Sequence, residues 1–255
     1  VTNSPTEVTV RMLPGYRGTQ LAVHEVGEGR PLLLLHGLFS SAQINWIKFG
    51  HAAEIASRGF RVIMPDFRVH GQSAAPHDAA DYPGDVLALD IEILIEQLGL
   101  SDFDLGGFSL GARTTALLLT RGLRPRRVIM AGMGLEGLGE WGRRRDFFLS
   151  VIEDRENIKH GDPRWLSVQF MKTTKVDTEA AVLLLKSFDD FDPAALRDIE
   201  IPALVVCGTE DRDNGSPEAL VDVLANARLA QVPGTHMSSV THKELGQAIA
   251  GFLAA

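Results

Sequence analysis

A mostly parallel α/β sheet with crossover helices is the fold this sequence predicts. Two observations carry it: short apolar runs bounded by turn residues alternate with longer helical patterns, and the most apolar runs are continuous instead of alternating. The strand candidates are Val8 to Leu13, Leu21 to Val26, Pro31 to Leu35, Phe60 to Met64, Phe103 to Gly106, Arg127 to Ala131, Ala203 to Cys207 and Ala227 to Val232. The first two alternate apolar with polar residues and read as edge strands, whereas Leu32 to Leu35 and Leu204 to Val206 suit strands buried on both faces.

Between the strands, Trp46 to Arg58 ends at Gly59 and Asp85 to Leu98 ends at Gly99, each glycine standing where a helix C-terminal cap belongs. Both are read as crossover helices. In the second, Leu87, Ile91, Leu94, Ile95 and Leu98 share one face, which is expected to cover the sheet. After Ala131 the pattern breaks: Gly132, Gly134, Gly137, Gly139 and Gly142 crowd together, and helical character follows until Ile201-Pro202 opens the next strand. This stretch reads as an insertion. Its large residues, Trp141, Phe147, Phe148, Trp165, Phe170, Met171, Phe188 and Phe191, are expected to form a small core of their own, with a few lining a pocket.

The 255 residues are enough for one well-filled core, so we start from a single domain carrying that insertion. A formal net charge of -8 argues against nucleic acid or anionic lipid as partner. The single Cys207 allows no internal disulfide and lies in an apolar run, so it reads as a buried inert thiol. Val1 to Glu7 shows no basic segment followed by an apolar stretch, and the longest apolar runs are far short of a membrane span. The expected address is the cytoplasm, although the chain lacks an initiator Met and leaves room for a removed upstream segment.

Gly107-Phe108-Ser109-Leu110-Gly111 is a G-x-S-x-G pentapeptide. Alone it has moderate specificity, since this composition would produce one by chance roughly 0.1 times per chain. Its setting decides: it follows a short strand and leads into the helical run Ala112 to Leu119. The glycines permit a turn too tight for a side chain on either flank, which holds Ser109 at a helix N-terminus, where the dipole favours developing negative charge. The bland reading is that Ser109 only caps that helix.

A serine hydroxyl needs a base held by an acid. His236 follows the last strand in Pro233-Gly234-Thr235-His236, and Asp211 follows the preceding one in Gly208-Thr209-Glu210-Asp211. The order Ser109, Asp211, His236 suits a triad built on a parallel sheet. Glu210, Asp213 and Glu136 remain alternative acids. The tetrahedral intermediate needs two backbone donors; Leu110 N–H is one, and Leu38 N–H is the second, because Gly37 after Leu35 lets the backbone come close.

These pieces together resemble the α/β-hydrolase fold superfamily: His36-Gly37, then Pro65-Asp66-Phe67-Arg68-Val69-His70-Gly71-Gln72-Ser73, then the elbow, Gly208 to Asp211, and Gly234-Thr235-His236. The resemblance implies an eight-stranded, mostly parallel sheet flanked by helices, with a small helical cap inserted after strand six. It places the core at 1–134 and 196–255 and the cap at 135–195. Val69 stands where the family's D-x-R-G-H-G-x-S stretch usually has glycine, so the local loop geometry is open. Arg113 stands where a small residue is frequent, which places a cation beneath the sheet or near a partner acid. Relatives with aspartate at the elbow are dehalogenases and epoxide hydrolases, and Ser109 argues against both.

The expected function is therefore hydrolysis of a small, mostly apolar carboxylic ester through an acyl-enzyme on Ser109, with no cofactor and no metal, by a monomer or homodimer. On the same triad, carbon–carbon bond hydrolysis, perhydrolysis and thioester hydrolysis are alternatives; a hydrolase-like receptor for a small molecule is the reading from another class. Arg143-Arg144-Arg145 at the start of the insertion reads as a solvated face, with a substrate carboxylate as its sharper use. Asn45-Trp46 reads as core for the Trp, near the oxyanion loop.

Overall fold

Leu32 to Leu35 form the middle of the molecule because all four side chains have an apolar surface to meet. In the computed structural model, which describes residues 7–139 and 141–255, they belong to strand β3 (Arg30–Leu35). Residues 1–6 of the expected core and Glu140 of the expected cap lie outside the described residues. The other strands are β1 (Thr9–Pro14), β2 (Gln20–Val26), β4 (Phe60–Pro65), β5 (Asp104–Phe108), β6 (Val128–Ala131), β7 (Ala203–Gly208) and β8 (Ala227–Val232). They form one sheet in the order β1-β2-β4-β3-β5-β6-β7-β8. Pairing is antiparallel for β1 with β2 and for β2 with β4, and parallel from β4 through to β8. Thus β2 runs against the other seven.

The helices are α1 (His51–Ala56), α2 (Val86–Gln97), α3 (Leu110–Thr120), α4 (Leu135–Gly139), α5 (Trp141–Glu153), α6 (Trp165–Thr174), α7 (Thr178–Lys186), α8 (Pro217–Val223) and α9 (Lys243–Ala254). The two-residue period of a strand sorts its side chains between two layers. Leu32 and Leu34 of β3 join Ala52 and Ile55 of α1 and Ile249 and Leu253 of α9 on one face. Leu33 and Leu35 join Leu87, Ile91 and Leu94 of α2 on the other. Ala112 and Ala116 of α3 meet Val128 and Met130 of β6 and Val205 of β7 in a third cluster.

Three expectations change. Although β2 alternates, it is not an edge strand, since β1 and β4 flank it. Its polar His24 is buried by a 3.0 Å hydrogen bond from Nε2 to the Asp66 carboxylate, so polarity did not mark a solvent face. The single helix expected over Trp46 to Arg58 is two: a π-helical turn Gln43–Ile47, then α1, separated because Gly50 takes a left-handed φ of 81°. Trp46 itself is fully buried in the core. Lastly, the segment between β6 and β7 has no separate core among the described residues, because Val151, Ile152, Val168, Leu184 and Leu185 are continuous with the sheet-face cluster that holds Leu33 and Leu35.

The loop after β4 carries an extended buried polar assembly. Arg68 reaches Asp90 of α2 through Nε and Nη2, both at 2.7 Å, a two-pronged pair buried on both sides. Tyr16 N–H donates to Asp90 Oδ1 at 2.8 Å, and Arg68 also donates to the Asp81 and Tyr16 carbonyls. This satisfaction of donors is what makes a buried ion pair tolerable, and it ties the loop to α2 and to the turn after β1. No helix among the described residues is long and apolar enough to cross a membrane.

Within that loop Val69 has φ 73° while its side chain is buried, so a position where the resembled family usually has glycine holds a β-branched residue in left-handed backbone. Such a conformation costs about 1–2 kcal/mol for a non-glycine residue. Val69→Ala removes packing and keeps that strain; Val69→Gly removes the packing and relieves it. Val69→Gly is therefore expected to be the more stable of the two by about 1 kcal/mol, the reverse of the order in a helix interior. Urea unfolding midpoints of the pair measure it, and an alanine variant at least as stable as the glycine one would show the site to be unstrained.

Candidate active site

The site lies at the carboxyl ends of the parallel strands, beside the point where β3 is flanked by β4 on one side and β5 on the other. Ser109 sits between β5 and α3 with φ 53° and ψ -110°. That turn needs its glycines: a Cβ on Gly107 would lie 2.3 Å from Gly111 C, and one on Gly111 would lie 2.3 Å from Leu35 O. Ser109 Oγ makes no capping bond to α3. It lies instead 3.1 Å from His236 Nε2.

His236, on the loop after β8, places Nδ1 2.8 Å from Asp211 Oδ2, on the loop after β7. An ionised carboxylate only accepts, so Nδ1 carries the proton and Nε2 is left bare to accept from the serine hydroxyl. Burial alone would raise the Asp211 carboxyl. The hydrogen bond and charge of His236, the Asp213 N–H and the nearby Arg144 outweigh it and hold the carboxyl below the usual range. All three side chains are buried. The other acids considered are elsewhere: Glu136 accepts from Ser216 N–H at 2.8 Å, and Glu210 and Asp213 are exposed.

The Leu38 N–H is aimed by its own peptide unit. Phe67 N–H donates to His36 Nε2 at 2.9 Å, so the proton of this imidazole is on Nδ1, which donates to Gly37 O at 2.7 Å. Ser40 N–H holds the same carbonyl at 3.2 Å. In a planar trans peptide the N–H points opposite to the carbonyl, which turns the Leu38 N–H away from this cluster. Leu38, Ser109 and Leu110 line one small chamber. Gly37 is not required there by close approach, since a Cβ would meet Phe108 Cδ1 and Ser109 Cβ at ordinary distances of 3.5 and 3.6 Å. Asn45 anchors the loop instead, its Oδ1 accepting from Gly37 N–H at 2.9 Å.

One group in the chamber was not legible as a site residue, and a second is one of three candidate arginines that the sequence did not tell apart. Asn214 donates through Nδ2 to Gly132 O at 2.7 Å and lies 3.5 Å from Ser109 Oγ, and no sequence pattern marks it. Arg144 lines the chamber as well, whereas Arg145 pairs with Asp146 outside it. Arg113 is the cation that replaced a small residue: it is buried, 3.1 Å from Asp85, and its guanidinium lies 5.3 Å from the rings of both Trp141 and Phe188. Cys207, on β7, is buried, with burial pushing its thiol up to about 12. Asp211, Asp213 and His236 bring possible metal-ligand atoms within 4.8 Å of one another among the described residues, yet both His236 nitrogens are engaged by Asp211 and Ser109.

A family model described as "Alpha/beta hydrolase family" matches residues 32–249, which include Leu38, Ser109, Asp211 and His236. The chain belongs to the α/β-hydrolase family. This α/β-hydrolase is 36% identical over 102 residues to AB hydrolase superfamily protein YisY of Bacillus subtilis, an alignment covering 40% of the chain and 36% of that protein. The first curated relatives are matched over only 15% to 36% of their own lengths. A longer alignment, 28% identical over 227 residues, covers 80% of the chain and 81% of (E)-2-((N-methylformamido)methylene)succinate hydrolase from Acinetobacter baylyi. Among solved structures, an esterase from Exiguobacterium antarcticum superposes with a TM-score of 0.78 at 19% identity, over 97% of this chain and 100% of that one.

Behind the loop after β3, the rings of His36 and His70 lie 5.0 Å apart at a tilt of 59°, and burial lowers both imidazoles, His70 to about 3. Each folded value lies below the ordinary 6.5, so the stability these groups contribute is complete above pH 6.5 and is lost as pH falls below it, for His70 down to about 3. Unfolding free energy is expected to fall on acidification from pH 6.5 towards 4. His70→Phe should take about 1.4 kcal/mol per pH unit off that slope, one proton's worth. Urea unfolding across this range measures it; an unchanged slope would mean that His70 is protonated in the folded protein.

Proposed function

We propose that this α/β-hydrolase cleaves a small, mostly apolar carboxylic ester through an acyl-enzyme on Ser109. The observation that carries the reading is the unbroken hydrogen-bond chain from Asp211 through His236 to Ser109 Oγ, at 2.8 and 3.1 Å, opening on a chamber lined by Leu38 and Leu110.

In this reading Ser109 Oγ attacks the ester carbonyl carbon while His236 Nε2 takes its proton. The carbonyl oxygen gains the negative charge and is held by the N–H groups of Leu38 and Leu110, the second also at the positive end of α3. Asp211 stabilises the imidazolium without taking its proton. The C–O bond to the alcohol breaks, and His236 returns the proton to the departing oxygen. Water then repeats the sequence: His236 takes a proton from it, its oxygen attacks the acyl carbon, and the acid departs as Ser109 Oγ recovers its proton.

Free space in the chamber is about 10 Å³, room for one water, so a substrate enters only as side chains such as Met133 and Arg144 turn aside. Small acyl groups fit this constraint best. Residues 135–195 act as the cap that shapes it. The carboxylate nucleophile of epoxide hydrolases has no counterpart at Ser109, which is why ester cleavage is preferred over epoxide opening.

A panel of para-nitrophenyl esters of increasing acyl length, read as sustained turnover, tests the proposal. Ser109→Ala is expected to lower kcat by a factor on the order of 10⁴ or more, and Asp211→Asn by a similar factor through the wrong His236 tautomer. A fluorophosphonate should label wild-type Ser109 and leave the alanine variant untouched. Hydrolysis that survives Ser109→Ala would sink the reading.

A further inference from the structure

The chamber over Ser109 carries more positive charge and more unused N–H groups than an apolar ester needs. Arg113, Trp141 and Arg144 line it together with Leu38 and Met133, and no carboxylate does among the described residues. Trp141 and Arg144 stand three residues apart on α5, the spacing that puts two side chains on one helix face. Trp141 is buried, and its Nε1–H has no hydrogen-bond partner among the described residues; the same holds for Arg113 Nε–H. Buried donors of this kind are rare in folded proteins and costly to leave unmet, so they call for an acceptor.

The two guanidinium groups differ in how their charge is met. Arg113 is balanced by Asp85 at 3.1 Å and spends a further N–H on the Asp189 carbonyl. Arg144 donates to a neutral partner, the carbonyl of Asp213, at 2.9 Å. Burial lowers its pKa while the carboxylates of Asp213 and Asp211 act through space to raise it, and a guanidinium in such surroundings stays charged. A cation in this position, beside an orphaned indole N–H, is complementary to an anion with several acceptor oxygens.

We infer that the ester this site takes bears a carboxylate at the far end of a short apolar acyl chain, held by Arg144 and by the Trp141 Nε1–H, and that Arg144 is the specificity-determining residue. The inference rests on the acyl-enzyme reading of Ser109. The acyl part is the one that stays bound to Ser109 inside the chamber through both half-reactions, so it is the part these donors can hold throughout. The apolar spacer meets Leu38 and Met133. The reaction is then hydrolysis of a diacid half-ester: the ester C–O bond breaks, water supplies the hydroxyl of the new acid and the proton of the alcohol, and a dicarboxylate leaves.

The test compares para-nitrophenyl half-esters of succinate, glutarate and adipate with the butyrate, valerate and hexanoate esters of matching length, each corrected for hydrolysis without enzyme. For the best-fitting pair, kcat/KM for the half-ester is expected to exceed that for the neutral ester by at least about tenfold. Arg144→Gln should lower this ratio by a factor on the order of 10–100, while Arg144→Lys, which keeps the charge but not the fork, should restore part of it. A merely structural role for Arg144 would lower both activities and leave the ratio in place.

A wild-type ratio at or below one, or a ratio unchanged in Arg144→Gln, overturns the inference and leaves the Ser109 reading intact, provided both hydrolyses still disappear in Ser109→Ala. If Ser109→Ala keeps its activity, the earlier reading fails, and the subsite is decided by melting temperature alone. Glutarate should then raise Tm in the wild type and not in Arg144→Gln. No such Arg144-dependent rise would overturn the subsite as well.

Discussion

The turn at Ser109 is the constraint from which the site is built. A strand must reverse into a helix within a few residues, with φ 53° on a non-glycine side chain, and the backbone of Gly107 packs directly on that of Gly111. Left-handed backbone at a serine costs energy that only its surroundings can hold in place. They do so through parallel pairing of β5 with β3 and β6, and through α3 lying so close to the end of β3 that Gly111 has no room for a methyl group against Leu35 O. Leu38, Ser109 and Leu110 line one chamber at the end of this turn.

A second layer of buried polar groups holds the loops that the sheet itself does not. Asp66 accepts from His24 at 3.0 Å and from the Ala42 and Gln72 N–H groups at 2.8 and 2.9 Å, so one carboxylate joins β2, the loop after β3 and the loop after β4. His36 relays that arrangement to the Gly37 carbonyl, and Arg68 with Asp90 ties its far end to α2. These pairs are expensive to bury and become worthwhile because nearly every donor and acceptor is met. They give geometry to amides that carry no side-chain chemistry of their own.

Much of the fold was legible because its signals are local. Continuous runs such as Leu32 to Leu35 and Leu204 to Val206 can be buried on both faces only in a covered parallel sheet, and the glycines at 59 and 99, both at positive φ, end helices where the chain says they should. The misreadings have separate causes. An alternating pattern in β2 suggested a solvent face because nothing near His24 in the chain announces Asp66, 42 residues away. The helix expected across Gly50 failed because apolar periodicity persists through a residue whose left-handed backbone stops the helix.

Of the candidate site, the sequence by itself determined the residue types and their order: a serine flanked by glycines, then an acid, then a histidine, each following a strand. It put Asp211 forward with Asp213, Glu210 and Glu136 as alternative acids and gave the three arginines at the start of the insertion equal standing. Tertiary structure alone decided both. A hydrogen bond requires a particular oxygen within about 3 Å of a particular nitrogen, and only the packing of the β7 loop against the β8 loop brings Asp211 Oδ2 to 2.8 Å from His236 Nδ1. The face of α5 that turns toward Ser109 is likewise set by its packing on the sheet-face core, which sends Trp141 and Arg144 inward. Chain order specifies which groups are available; close packing across distant segments specifies which of them meet.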